Sequence, residues 1–198
     1  MAKVIDYYLT LISPWAYLGC PRFEEITARH GAEVRVKPVD YGVIFPRTGG
    51  LPLAKRAPER QAYRLMELER WPTHLNMPLN MHPAHFPAPD GEAAHFVLAA
   101  GETGGDPLKL AHAMLRAVWT EERNIADAAT LEEIARETGH DAPALMAKAK
   151  TPEIQKMRES YTEEAIARGV FGAPSYVYNG ELFWGQDRLD FLDRALSA

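Results

Sequence analysis

The tetrapeptide Ser13-Pro14-Trp15-Ala16 is the segment of this chain whose residue types are best suited to chemistry. It follows a β-branched and aromatic run at residues 4–9, which predicts a β-strand, and it leads into a predicted helix over residues 16–30. Serine at the N-cap and proline at the first helical position are typical of a helix start. The hydroxyl of Ser13 is therefore expected to face unpaired backbone N–H groups and the positive end of the helix dipole, where an anion is stabilised.

Cysteine content limits what that anion can be. The single cysteine, Cys20, lies further along the predicted helix. A dithiol enzyme would carry Cys-x-x-Cys at residues 13–16, but Ser13 and Ala16 cannot form a disulfide. One cysteine also excludes an intramolecular disulfide and a multi-cysteine metal site, and Cys20 is expected to be a small buried residue. A thiolate at the start of the helix would therefore have to come from a small-molecule thiol.

The composition is that of a globular protein with no strong bias. The 198 residues are 46% hydrophobic, which is enough for a core in one large domain or two small ones. A net charge of −5 argues against nucleic acid or an anionic membrane as the main partner. No signal-peptide pattern and no apolar run long enough to cross a bilayer is present. The expected protein is soluble and cytoplasmic.

The two ends of the chain have the pattern of α/β structure. An alternating run at residues 33–39 predicts a second strand, parallel to the first because a helix connects them. Near the other end, residues 175–178 and 181–184 predict a hairpin whose turn is Asn179-Gly180. Asp187 is expected to cap a terminal helix.

The middle of the chain is predicted to be helical. Prolines interrupt residues 45–89, with one helix expected at 59–71. Helical spacing of apolar residues then predicts helices at 92–103, 107–120, 129–138, 142–150 and 152–168. The sequence thus predicts an α/β domain made of residues 1–44 and 152–198, interrupted by an all-helical insertion domain over residues 45–151.

The order βαβ, helical block, αββα resembles the thioredoxin fold, and the helical insertion resembles its DsbA-like branch. The resemblance spans nearly the whole chain and is greatest to the 2-hydroxychromene-2-carboxylate isomerases, which are similar to kappa-class glutathione transferases. Four motifs carry it: Ser13-Pro14-Trp15-Ala16-Tyr17, Arg123-Asn124-Ile125, Gly169-Val170-Phe171-Gly172-Ala173-Pro174-Ser175 and Gly185-Gln186-Asp187-Arg188-Leu189. The resemblance implies glutathione as the thiol and a homodimer as the assembly.

The resemblance also implies roles for individual residues. Ser13 would donate a hydrogen bond to the sulfur of glutathione, which favours thiolate over thiol. Pro174 would follow a cis peptide bond, leaving the backbone of Ala173 free to pair with the cysteinyl part of glutathione. Trp15 would belong to the same site. Read alone, Ser13 is also a plain N-cap, and Pro174 is also compatible with a trans proline at the start of a strand.

The two ends of glutathione have less specific candidates. Backbone N–H groups at Gln186 and Asp187 would take the γ-glutamyl carboxylate, and the Asp187 side chain would take the ammonium group. Arg60 stands where the family usually has a lysine and would bind the glycyl carboxylate, although it is equally compatible with an exposed helix charge. Gly50 stands where the family usually has an asparagine, which removes a side-chain contact.

Other conspicuous residues have simpler explanations. The histidines at 74, 82, 85 and 95 match no metal-site spacing, so no metal is expected. Residues 82–87 are expected to form a shaped loop over the substrate pocket. Five aromatic residues would line an aromatic cavity or belong to the core: Trp15, Tyr17, Trp71, Phe86 and Trp119.

The reaction implied by the resemblance is a glutathione-dependent isomerisation. The thiolate would add to an alkene conjugated to a ketone, allow rotation about the new single bond, and then be expelled. The substrates would be 2-hydroxychromene-2-carboxylate and trans-o-hydroxybenzylidenepyruvate, or a related intermediate of aromatic degradation. Two alternatives are a kappa-like glutathione transferase that releases a conjugate and a thioredoxin-like binding module without catalytic activity.

Overall fold

Four strands form one mixed sheet in the computed structural model, which describes residues 2–198. The strand order is β2-β1-β3-β4, in which β1 is parallel to β2 and antiparallel to β3. The turn between β3 and β4 has positive φ at both Asn179 and Gly180, as a two-residue hairpin turn of this kind requires. The predicted parallel unit and hairpin are confirmed. The strands are β1 (Val4–Leu9), β2 (Glu33–Pro38), β3 (Ser175–Tyr178) and β4 (Glu181–Trp184).

Nine α-helices surround the sheet or form the insertion within the described residues. They are α1 (Pro14–His30), α2 (Tyr41–Thr48), α3 (Pro58–Leu75), α4 (Gly91–Glu102), α5 (Pro107–Thr120), α6 (Ala128–Glu137), α7 (Ala142–Ala149), α8 (Pro152–Ala167) and α9 (Leu189–Ser197). Short 3₁₀ turns occur at Leu53–Lys55 and Gln186–Arg188. No helix in this part of the chain combines the length and apolarity needed to cross a bilayer. The thioredoxin-like fold with a helical insertion, predicted from the sequence, is confirmed.

One helix, α2, was missed by the sequence analysis. Its first turn is capped by Asp40, whose side chain accepts the N–H of Gly42 at 2.7 Å. Pro46 lies inside this helix, where its missing N–H removes one backbone hydrogen bond without ending the helix, although the sequence analysis took it as a helix breaker. Because α2 spans residue 45, the expected start of the insertion falls inside a helix, and the division into two domains stays a prediction.

Helix α3 and the last helix differ from the elements expected there. Helix α3 continues through Pro72 to Leu75 and ends at Asn76, which adopts the left-handed conformation. The prediction that Asp187 caps the last helix is wrong, because residues 186–188 form a 3₁₀ turn and α9 begins only at Leu189. No side chain caps either element, and the Asp187 carboxylate pairs with its neighbour Arg188 instead.

Strand β1 is buried on both faces of the sheet. Ile5, Tyr7 and Leu9 belong to the larger core, which includes residues of α1, α4, α5 and α9. Tyr8, on the opposite face, belongs to a second cluster with residues of α2 and α8. The strand therefore needs apolar residues at nearly every position, which matches its composition.

An exception to this apolar pattern is a buried charge network on the α8 side of the sheet. Lys37 of β2 is 5% exposed, and its Nζ lies 2.8 Å from Asp6 Oδ1 and 2.9 Å from Glu164 Oε1. Arg168 contacts both carboxylates, at 3.1 and 3.0 Å, and Tyr8 donates to Glu164 at 2.9 Å. Two cations and two carboxylates thus balance one another and join β1, β2 and α8.

We expect Lys37→Met to lower the free energy of unfolding by about 3 kcal/mol, because Asp6 and Glu164 lose their buried cation and must share the more exposed Arg168. Urea denaturation measures the change. The matched control is Arg35→Met on the same strand, since Arg35 is exposed and pairs only with Glu33. The network would have no role in stability if the two variants unfolded at the same urea concentration as the wild type.

Candidate active site

Ser13 lies at the N-terminus of α1, immediately after the turn that follows β1. Its Oγ accepts the N–H of Ala16 at 3.2 Å, so the predicted N-cap is confirmed. The residue is 6% exposed. Its hydroxyl is directed at the carbonyl oxygen of Ala173, at 3.4 Å, which is long for an O–H···O hydrogen bond. The proton of Ser13 therefore has only a weak acceptor within the described residues.

The peptide bond between Ala173 and Pro174 is cis, as the sequence analysis expected. The contact with Ser13 shows that this bond lies beside the start of α1, although 160 residues separate the two in sequence. Pro174 also accepts the N–H of Gly185 at 2.9 Å, which links the cis bond to the turn before α9. Three of the four motifs that carry the family resemblance thus meet at one place.

Gly172, the residue before Ala173, is fixed by hydrogen bonds and by close packing. The carbonyl oxygen of Gly172 accepts hydrogen bonds from Tyr41 Oη at 2.8 Å and from Ser175 Oγ at 2.7 Å. A Cβ at residue 172 would overlap the indole of Trp184, so only glycine allows this approach. The backbone on which Ala173 is presented is therefore fixed by α2, by β3 and by the packing of Trp184.

Gln186 and Asp187 differ in their surroundings. Gln186 is 2% exposed, and Arg22 of α1 donates to both its side-chain and backbone oxygens. Its side chain is thus used to join the turn to α1. The side chain of Asp187 is 40% exposed, and its carboxylate lies 2.8 Å from the guanidinium of Arg188. Of the two, only Asp187 offers a side-chain oxygen toward solvent.

Asp90, the residue before α4, holds the turn that carries Ser13. Its Oδ2 accepts hydrogen bonds from Thr10 Oγ1 at 2.5 Å and from the N–H of Leu11 at 3.1 Å. The other oxygen lies 3.1 Å from the guanidinium of Arg158 in α8. Thr10 in turn accepts the N–H of Ser13 at 3.1 Å. One carboxylate therefore connects the insertion, α8 and the turn.

Cys20 is unsuited to supply a thiolate. It is 7% exposed, and its Sγ donates to the carbonyl oxygen of Ala16 at 3.2 Å. Burial, and then the charge of Glu24, raise the pKa of this thiol well above its ordinary value. The expectation of a small buried residue is confirmed, and the chain has no other sulfhydryl group.

Arg60 belongs to a group of arginines at the start of α3. It is exposed, whereas Arg56 and Arg64 are half-buried. Arg56 donates to the carbonyl oxygen of Leu51 at 2.9 Å, and the guanidinium of Arg64 lies 5.5 Å from the ring centroid of Phe86. Burial, and then the charge of Arg56, lower the pKa of Arg64 to about 10, so it stays cationic at neutral pH. No hydrogen bond or ion pair of the described residues joins Arg60 to Ser13 or to the cis bond, and its expected role stays a prediction.

Gly50, which stands where the sequence analysis expected the asparagine of the family, lies against Phe45. A Cβ on Gly50 would overlap the ring of Phe45 in α2. The Phe45 ring therefore occupies the space that an asparagine side chain at residue 50 would need. An asparagine could be accommodated only if Phe45 moved.

The five candidate aromatic residues are buried to different extents. Trp119 is fully buried, with its ring centroid 4.9 Å from that of Phe86, and Tyr17 is 5% exposed with its hydroxyl donating to Pro78. Trp15 and Trp71 are half-buried against the core. Trp119 and Tyr17 are thus core residues. Across residues 2–198, no three histidine, cysteine, aspartate or glutamate side chains are grouped as a metal site requires.

Asp90 and Arg64 were not singled out from the sequence. Asp90 gives no local signal other than standing before a helix, because its partners are 79 and 68 residues away. Arg64 does have a signal: it follows Arg60 by four residues, which places both on one face of a helix. That spacing would have identified a cationic face on α3.

Comparison with known proteins agrees with the geometry. A DSBA-like thioredoxin domain model matches residues 4–197. The chain is 30% identical over 197 residues to a 2-hydroxychromene-2-carboxylate isomerase from Sphingobium xenophagum, which covers 99% of each chain. A solved structure of a 2-hydroxychromene-2-carboxylate isomerase has a TM-score of 0.84 at 22% identity, covering 98% of this chain and 94% of that one. The cytosolic disulfide reductase DsbM from Pseudomonas aeruginosa, solved with GSH, has a TM-score of 0.71 at 18% identity and covers 98% and 100%. These two structures show likeness of fold.

We expect Asp90→Asn to lower the free energy of unfolding by about 2 kcal/mol, since hydrogen bonds to a charged acceptor are lost and Arg158 keeps its charge without a counterion. Urea denaturation is the measurement. Glu163→Gln in α8 is the control, because Glu163 is exposed and pairs only with exposed Arg47. Equal stability of the two variants would contradict the role assigned to Asp90.

Proposed function

Because the chain belongs to the DSBA-like thioredoxin family, in its branch of 2-hydroxychromene-2-carboxylate isomerases, we propose that it is a glutathione-dependent isomerase. Its substrates would be 2-hydroxychromene-2-carboxylate and trans-o-hydroxybenzylidenepyruvate, or a closely related hydroxyaryl keto acid. The names of the relatives support an isomerase. The dependence on glutathione is supported by the arrangement around Ser13.

The observation that carries the proposal is a serine hydroxyl at a helix start in a chain whose single thiol is buried elsewhere. Ser13 presents a hydroxyl with only a weak acceptor at the N-terminus of α1, beside the cis bond at Pro174. The N–H groups of a helix start favour a negative charge at this position. Cys20 is buried and kept protonated, so it does not compete. A thiol from outside the chain would be consistent with both the hydroxyl of Ser13 and the burial of Cys20.

The candidate side chains would match the charged groups of glutathione, which has one ammonium group and two carboxylates. The exposed carboxylate of Asp187 would take the ammonium group. The first turn of α3 has Arg60 for the glycyl carboxylate. The backbone of Ala173, fixed through Gly172, would pair with the cysteinyl part, with Trp15 beside it. These assignments are part of the proposal.

When bound, glutathione would supply a nucleophile that adds reversibly to the electron-poor alkene and is regenerated. The Ser13 hydroxyl would donate a hydrogen bond to the sulfur and so lower its pKa toward ambient pH. The N–H groups at the start of α1 would stabilise the same charge. The turn held by Asp90 keeps this hydroxyl at the helix start, beside Ala173.

The purified protein, incubated with the keto acid and glutathione, should interconvert the isomers without consuming thiol. Absorbance follows the isomers, and a thiol assay follows glutathione. Stoichiometric loss of thiol would instead assign a kappa-like transferase, and glutathione binding without turnover of any electrophile would assign a binding module. A homodimer and a cytoplasmic location, where glutathione is plentiful and reduced, stay predictions.

Ser13→Ala should reduce kcat at least about tenfold and raise the pKa of bound glutathione, because one donor to the thiolate is lost. The thiolate absorbance of the protein–glutathione complex, measured against pH, reports that pKa. Ser13→Cys is measured in the same assays, because cysteine also has a small side chain at residue 13. If Ser13→Ala kept both the turnover and the thiolate absorbance of the wild type, Ser13 would have no part in the mechanism.

Cys20→Ala should leave kcat and the requirement for glutathione unchanged, because this sulfur is buried and protonated. The same isomerisation assay, with and without glutathione, measures the effect, and circular dichroism verifies the fold. Loss of activity in a folded Cys20→Ala protein would mean that the chain provides its own thiol.

A further inference from the structure

Arg64 is a half-buried cation without a counterion. No carboxylate among residues 2–198 forms an ion pair with it. Glu67, one turn further along α3, is already bound by Arg70 and by the indole N–H of Trp71, at 2.8 and 3.0 Å. Burial of a charge without a partner is costly, and here a second cation, Arg56, lies close enough to lower the pKa of Arg64. Such an arrangement is typical of a site for an anion that comes from outside the chain.

The other side of Arg64 is aromatic. Its guanidinium lies 5.5 Å from the ring centroid of Phe86, and Phe86 packs on Trp119. A guanidinium stacked on a ring keeps its in-plane N–H donors free for a bidentate contact with a carboxylate. The site therefore combines a planar donor with an apolar aromatic wall.

The chain connects this site to the turn that carries Ser13. Phe86 is four residues before Asp90, a distance of at most about 14 Å in an extended chain. Asp90 in turn accepts the N–H of Leu11, next to that turn. Helix α3, which carries Arg64, also packs on α1. Arg64 thus lies on a helix that packs on α1, and its partner Phe86 is close in the chain to the residue that holds the Ser13 turn.

We propose that Arg64 binds the carboxylate of the hydroxyaryl keto acid, with Phe86 against its aromatic part. This inference rests on the proposed function and adds to it the residue that selects an acidic substrate. Glutathione also has carboxylates, but the more exposed Arg60, one turn earlier on the same helix face, is available for them. The half-buried position beside aromatic rings favours the ligand that itself contains a ring.

The test compares the keto acid with its neutral methyl ester. In the wild type, kcat/KM for the acid should exceed that for the ester at least about tenfold, as a charge-assisted contact implies. Arg64→Met should raise KM for the acid about tenfold or more, remove the preference for acid over ester, and leave KM for glutathione unchanged. Arg64→Lys keeps the charge but not the bidentate geometry, so it should retain part of the preference.

Arg70→Met is the matched control, because Arg70 is an exposed arginine of the same helix that pairs with Glu67. It should keep the wild-type ratio of acid to ester. The acid-to-ester ratio does not depend on the folded fraction, and Arg64→Lys gives the answer if Arg64→Met does not fold. An unchanged ratio in a folded Arg64 variant, or a rise confined to KM for glutathione, would overturn the proposal.

Calorimetric titration with the keto acid separates the two proposals. If the wild type binds the acid at least about tenfold more tightly than Arg64→Met but does not isomerise it with glutathione, the carboxylate site stands and the proposed function fails. If the wild type isomerises the acid and binds it no better than Arg64→Met, the proposed function stands and the role of Arg64 is wrong.

Discussion

The position of the candidate site depends on one carboxylate, that of Asp90. The turn between β1 and α1 exposes the Thr10 hydroxyl and the N–H of Leu11, and both donate to Asp90 Oδ2. Arg158 holds the other oxygen from α8. Asp90, which precedes α4, thus supplies an acceptor to the turn between β1 and α1. The insertion therefore takes part in forming the start of α1, because the orientation of Ser13 follows from the turn before it.

The second half of the site comes from the far end of the chain and is held by different contacts. Gly172 is anchored by Tyr41 and Ser175, and Pro174 accepts the N–H of Gly185. The hydroxyl of Ser13 and the backbone of Ala173 meet because each is fixed separately and the sheet brings the two segments together. The buried network around Lys37 ties β1 and β2 to α8 on the opposite face of that sheet. The two segments of the site are thus held by hydrogen bonds to α2, to β3 and to the residues around Asp90 and Gly185.

The sequence predicted the features that arise from neighbouring residues. The serine–proline helix start and the Asn179-Gly180 turn have local physical causes, and both are confirmed. The cis bond at Pro174 came from resemblance to a family, since nothing local distinguishes cis from trans there. Asp90, which depends on distant partners, was missed because it had no local signal. The Asp187 cap was wrong although its actual partner, Arg188, is the adjacent residue. Helix α2 was missed because Pro46 was taken as a helix breaker, whereas the Asp40 side chain caps this helix.

A serine at residue 13 is chemically better suited than a cysteine to the proposed site for an external thiol. A cysteine at the N-terminus of a helix tends to ionise, because the helix start and its N–H groups stabilise the thiolate. Its charge would then repel a second thiolate bound beside it. A serine hydroxyl keeps its proton at neutral pH, so it acts as a donor at the same position. The one sulfur of the chain is instead placed at Cys20, where burial keeps it protonated and Ala16 accepts its S–H. The helix dipole is thereby left available for the thiolate of the proposed external thiol.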